Sequence, residues 1–255
     1  MKAHRRNFRE NKSGQLLIVA ALAIAMLIAS ASIYVYELNV EQNGQSYYQI
    51  ANFVPVIKQC TKNALISSLA NVSNGGAKTV LATNLERLAG TIRGLRHQAI
   101  FQLTFSLYNN SDYESGVRLL WGAENFGLSS AYASFTLNVQ GIENVELDYT
   151  INVTTAILVE GFYTGDGSEK NVTVMCHIYN EGKPAQAKNI NLFYEVGDAW
   201  VPVDSLNNIL MVDFENGTYA ISFSATIPSD VVRVSTHITD MRDILVYANA
   251  TCTNA

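Results

Sequence analysis

Charge is what this chain has least of. Only 15% of its 255 residues are Asp, Glu, Lys or Arg, against about a quarter in an ordinary soluble protein. Hydrophobic residues, at 48%, are not in excess, so the deficit is one of charge. Four prolines and sixteen glycines exclude collagen and Pro-rich linkers. Low charge with many aliphatic residues excludes wholesale disorder. A net charge of −5 argues against nucleic acid as a partner, since such proteins present a basic face. The catalytic signatures G-x-S-x-G and H-E-x-x-H, the P-loop and G-x-G-x-x-G are all missing. No enzyme activity and no cofactor is therefore expected, and no metal site. His177 and His237 fall in predicted strands without an activating neighbour. Cys176 and His177 are adjacent strand residues, so their side chains point to opposite faces.

The charge that is present is unevenly placed. Lys2, Arg5, Arg6, Arg9 and Lys12 stand against Glu10 alone in residues 1–14, a net of +4 that leaves −9 for the rest. From Leu16 to Tyr36 the chain carries no charge. As a helix that run is about 30 Å long, enough to cross a hydrocarbon core. Basic residues before it predict a cytoplasmic N-terminus and an exterior remainder. The expectation is a single-pass protein of the cell membrane, with a leader over 1–14 and a transmembrane helix over 15–36.

Three fates of the segment are open. Ala29-Ser30-Ala31 fits a signal-peptide cleavage site. An uncut signal anchor would run on to Tyr36. Lys12-Ser13-Gly14-Gln15, a basic leader ending in glycine before an unbroken apolar helix, resembles the class III signal of archaeal type IV prepilins. That resemblance implies processing between Gly14 and Gln15 and packing of the retained helix with other pilin-like subunits. Val19 stands where many major pilins carry glutamate, which suits a minor pilin or a pilin-like surface protein.

Beyond the span, N-x-S/T sequons at Asn71, Asn109, Asn152, Asn171, Asn216 and Asn249 are candidate glycosylation sites. Cys60, Cys176 and Cys252 lack metal spacing, and a Cys176–Cys252 disulfide is the candidate pairing.

The exterior divides into residues 37–159 and 160–255. In the first, apolar spacing over 45–70 predicts a helix that Pro55 interrupts and Gly75-Gly76 ends. A second helix follows from Ala77, giving a helical hairpin. Ser115–Phe126 reads as a short amphipathic helix, and Ala131–Val139 and Val145–Val159 alternate as strands. In the second, Asn171–Tyr179, Asn189–Val196, Ala199–Val203, Ile209–Phe214, Tyr219–Ile227, Val231–Ile238 and Ile244–Ala250 read as strands. Their close spacing is that of a β-sandwich. Asp213–Tyr219 resembles the G-x-Y corner of immunoglobulin-like domains, with Trp200 as core tryptophan and Ile221 where an immunoglobulin proper has cysteine.

The expected fold class is thus α+β: a transmembrane helix, a helical hairpin with antiparallel strands, then an all-β immunoglobulin-like sandwich. The expected function is a pilin-like structural or adhesive subunit, non-enzymatic. The alternative is a monomeric anchored binding module that presents the sandwich to a ligand or surface partner.

Overall fold

Helix α1 covers residues 53–73 in the computed structural model, which describes residue 32 and residues 53–94, 100–140 and 145–255. Pro55 lies in the first described turn of α1, where a missing N–H costs no helical bond, and residues 45–52 of the expected helix lie outside the described residues. Helix α1 ends where the sequence supplies its stop: Gly75 takes φ +96°, its N–H bonds Val72 O at 3.1 Å, and Gly76 N–H bonds Asn71 O at 2.9 Å. Those two bonds are the Schellman pair, which needs a left-handed residue. Helix α2, Val80–Gly94, follows, and Asn84 Nδ2 donates to Ser68 Oγ of α1 at 2.9 Å. Leu65, Leu69 and Val72 of α1 and Leu81, Leu85 and Ile92 of α2 are buried.

Twelve strands follow: β1 Ile100–Leu107, β2 Val117–Leu120, β3 Phe126–Gln140, β4 Val145–Thr164, β5 Glu169–Asn180 and β6 Lys183–Pro184. Then come β7 Ala187–Val196, β8 Ala199–Pro202, β9 Leu210–Asp213, β10 Thr218–Thr226, β11 Val232–Asp240 and β12 Leu245–Asn254. Strand β3 pairs with β1, β2 and β4, all antiparallel. The path continues β8-β7-β11-β12-β4-β5-β10-β9. Strands β12 and β4 meet in a short parallel ladder, Thr253 opposite Phe162 and Asn254 opposite Tyr163.

That ladder joins two layers. Val159 of β4, Val174 of β5 and Phe223 of β10 share one buried cluster with Leu192 of β7, Val234 of β11 and Val246 of β12. Alternate residues of each strand supply this core, as the period of two dictates. Strand β4 runs unbroken through residues 159 and 160 and pairs with β3 along one stretch and β5 along another. Residues Pro55–Ala255 accordingly form one compact unit.

Several expectations are corrected. The α+β class gives way to a mainly β chain, because strands occupy 100–107 and 117–120 and the β3–β4 pair is far longer than its alternation suggests. The expected helix over Ser115–Phe126 is absent. Ser115, Gly116, Gly122 and Asn125 all have positive φ (52°, 78°, 67° and 61°), which a right-handed helix does not admit. The leader 1–14 and the transmembrane helix 15–36 lie, Ser32 apart, outside the described residues. Among the described residues no helix is long and apolar enough to cross a membrane. The single-pass cell-membrane localisation and the signal-anchor reading are therefore set aside. Trp200 is no core residue either; it is exposed on β8.

Candidate functional site

Gly14 and Gln15 lie outside the described residues. Of the sequon asparagines, Asn71, Asn109, Asn152, Asn171 and Asn216 are exposed. Asn152 and Asn171 already accept hydrogen bonds through Oδ1, from Ser130 and Ser224. Asn249 is half-buried, and its Nδ2 donates to Gly122 O at 3.3 Å, so the nitrogen a glycan would use is occupied.

The cysteines are free. Cys176 donates to Thr236 Oγ1 at 4.0 Å across the sandwich, and Cys252 sits over Gly161, so the two thiols have different partners and no Cys176–Cys252 bond forms. Burial pushes both thiols up to about 12. Thr236 partly offsets the rise at Cys176, and the Glu124 charge adds to it at Cys252. Neither is a thiolate at neutral pH, so neither is a nucleophile. Cys60 is exposed.

His177 Nδ1 lies 3.0 Å from Thr218 Oγ1, on the face opposite the buried Cys176. His237 stands between Phe193, at 4.8 Å, and Tyr247, at 4.5 Å between ring centroids, and Tyr247 packs on Trp121 at 5.0 Å. Burial in this aromatic row lowers the His237 pKa. Among the described residues no group of His, Cys, Asp or Glu is arranged to hold a metal ion.

Among the described residues one carboxylate, Asp240, is fully buried, and it is built into the scaffold. Asp240 accepts from Arg242 Nε at 2.9 Å and Thr155 Oγ1 at 2.9 Å, and from the backbone N–H of Arg242 and Ile244. Arg242 extends to Glu181 Oε1 at 2.7 Å and Thr154 O at 2.9 Å. Every oxygen of Asp240 is used, so it locks the β11–β12 turn to β4 and leaves no group for a ligand. Tyr219 is a second lock: its buried hydroxyl accepts from Ala187 N at 3.0 Å, tying β10 to β7 rather than its own corner.

What distinguishes the surface is how its sheet edges are treated. An uncovered edge offers unpaired N–H and C=O groups, and natural proteins normally cover or blunt it. The edge of β12 is covered by residues 122–125, with Asn125 N bonding Asn249 O at 2.7 Å and Asn249 N bonding Ala123 O at 3.1 Å. The β8 edge is short and contains Pro202. Strand β9 is as short as β8, but it contains no proline. Among the described residues no segment covers it, it pairs only with β10, and all four of its residues are exposed.

The side chains there are apolar. Leu206 is 87% exposed, Leu210 63% and Met211 56%, with Ile209, Val212 and Phe214 also open. Ile209 and Met211 turn towards the gap between the layers. There they line a cleft of about 140 Å³ with Leu192, Pro202, Val203 and Ile221. Phe214 N donates to Thr218 O at 3.0 Å. By the antiparallel alternation, the backbone groups of Val212 and Leu210 then face β10, and those of Met211 and Asp213 face the open edge.

The strand expected over Ile209–Phe214 is present as β9, and its exposure is the feature not expected from the sequence. The available signal was the run Ile209-Leu210-Met211-Val212, apolar at every position instead of alternating. No protein-family model matches the chain, and no curated protein matches it in sequence.

Proposed function

We infer that the protein is a non-enzymatic, pilin-like structural or adhesive subunit that works by engaging another polypeptide through β9. The observation that carries this is the β9 edge, uncovered among the described residues, with exposed apolar Leu210, Met211 and Val212 on the strand and Leu206, Ile209 and Phe214 beside it. Contiguous apolar surface of that kind marks interaction sites on soluble domains. The sandwich supports the reading, because it is locked by Asp240 and Tyr219 and offers rigid display rather than a reactive cleft. The basic leader and Gly14-Gln15 support the pilin-like part.

Two measurements test it. Placing a photo-crosslinking residue at position 210 of the full chain, in the cells that make it, should give a covalent adduct with a polypeptide. The same residue at 177, on the face of β5, should give none. Equal labelling at both positions contradicts the reading. The N-terminal sequence of the native protein should begin at Gln15, and retention of Met1 or a start at Ser32 removes the pilin-like part.

A further inference from the structure

The occupant of the β9 edge has a chemistry that the surrounding charge selects. From Asn189 to Val232 the chain has no Lys or Arg, while Glu195, Asp198, Asp204, Asp213, Glu215 and Asp230 give that stretch a charge of −6. Glu195 is met by Arg233 at 3.6 Å. Among the described residues no basic side chain pairs with Asp198, Asp204, Asp213 or Glu215. Asp204 and Glu215 flank β9, and Asp213 ends it. The edge is therefore apolar in the middle and acidic at both ends.

Resting on the reading above, we propose that β9 binds an extended partner segment as an added antiparallel strand, with apolar residues at alternate positions and Lys or Arg at its ends. Its backbone would pair with the outward N–H and C=O of Met211 and Asp213. Its inward side chains would fill the cleft beside Ile209 and Met211, removing that apolar surface from water. Its basic ends would meet Asp204, Asp213 and Glu215. A second copy of this chain is disfavoured as occupant, because β9 against β9 sets one stretch of −6 beside another.

The test uses the full chain and three fluorescein-labelled peptides followed by anisotropy. The first is Lys-Val-Ser-Ile-Ser-Val-Lys, the second carries Glu at both ends, and the third is the Lys peptide N-methylated at alternate backbone nitrogens. The Lys peptide should bind about tenfold tighter than the Glu peptide in dilute buffer, with the gap closing in about 0.5 M salt. The N-methylated peptide should lose binding about tenfold or more, since it cannot complete the ladder. Met211→Pro removes an outward N–H without touching the β10 ladder and should lose binding likewise. Asp213→Lys with Glu215→Lys should reverse the peptide preference. Equal binding of Lys and Glu peptides overturns the proposal, as does unchanged binding of the N-methylated peptide. A wild-type dimer that Met211→Pro converts to monomer also overturns it, in favour of a second copy. A position-210 crosslink without peptide discrimination removes the partner chemistry alone. Absence of both removes the interaction reading as well.

Discussion

Met211 stands opposite Ile221 in the β9–β10 ladder, yet Ile221 is 2% exposed and Met211 56%. One strand's width separates the closed core from its open lip. Truncation should report that difference. Ile221→Ala should cost about 3 kcal/mol of unfolding free energy, and Met211→Ala should stay within about 0.5 kcal/mol. Urea midpoints at constant m-value check both. A comparable loss at Met211 would mean that β9 is part of the folded core.

Asp240 should be the most costly polar residue to remove. Asp240→Ala leaves the Arg242 guanidinium, Thr155 Oγ and two backbone N–H groups without their acceptor. The expected loss is about 3 to 5 kcal/mol, the scale for breaking a buried pair from one side. The exposed Lys188–Asp243 pair should contribute less than about 1 kcal/mol when Lys188 is replaced by Ala. Denaturant unfolding of the two variants compares them directly.

The three thiols should differ in reactivity. Iodoacetamide at pH 8 should modify Cys60 alone in the folded protein and all three in guanidinium chloride, read by intact mass. Two thiols unmodified in the denaturant would show a disulfide. Burial raises the folded pKa of Cys176 from 9.0 to about 12, so the folded state holds a proton that the unfolded state gives up. This contribution to stability is complete below pH 9 and is lost as pH rises towards 12. The slope is about 1.4 kcal/mol per pH unit for each such thiol. Cys176→Ala should flatten the alkaline fall relative to wild type.

His237 should act on the acid side. Burial between Phe193 and Tyr247 lowers its folded pKa below the 6.5 of a free imidazole. The neutral ring is favoured by folding, so its contribution is present above pH 6.5 and lost as pH falls through that range. His237→Gln should weaken the acid dependence of the thermal midpoint, and an unchanged profile would place the acid sensitivity elsewhere.

Legibility in the sequence followed the physics of each element. Strands β5, β10 and β12 lie close to where alternation puts them, because each buries one face only and so keeps a period of two. The stop at Gly75-Gly76 was legible for a similar reason, since only glycine takes that φ cheaply. Strand β1 was not. Ile100-Phe101-Gln102-Leu103 alternates, but it follows directly on the helical stripe of α2 and reads as its tail. Residues 115–126 misled because Leu119, Leu120 and Trp121 imitate one helical face, while the left-handed residues that forbid a helix include Ser115 and Asn125 as well as glycines. The β9 edge was half legible: its run of apolar residues is plain, but which strand ends a sheet depends on pairing between distant segments. The Cys176–Cys252 pairing failed because two buried cysteines in one core need not face each other.

The most direct measurement is amide hydrogen exchange of β9, resolved residue by residue, with and without the Lys-ended peptide. Met211 and Asp213 amides should exchange fast in the free chain and Val212 slowly, and the peptide should protect Met211 and Asp213 while leaving Val212 unchanged. Met211 and Asp213 amides already protected in the free chain, or unaffected by saturating peptide, would contradict an open edge that receives a strand.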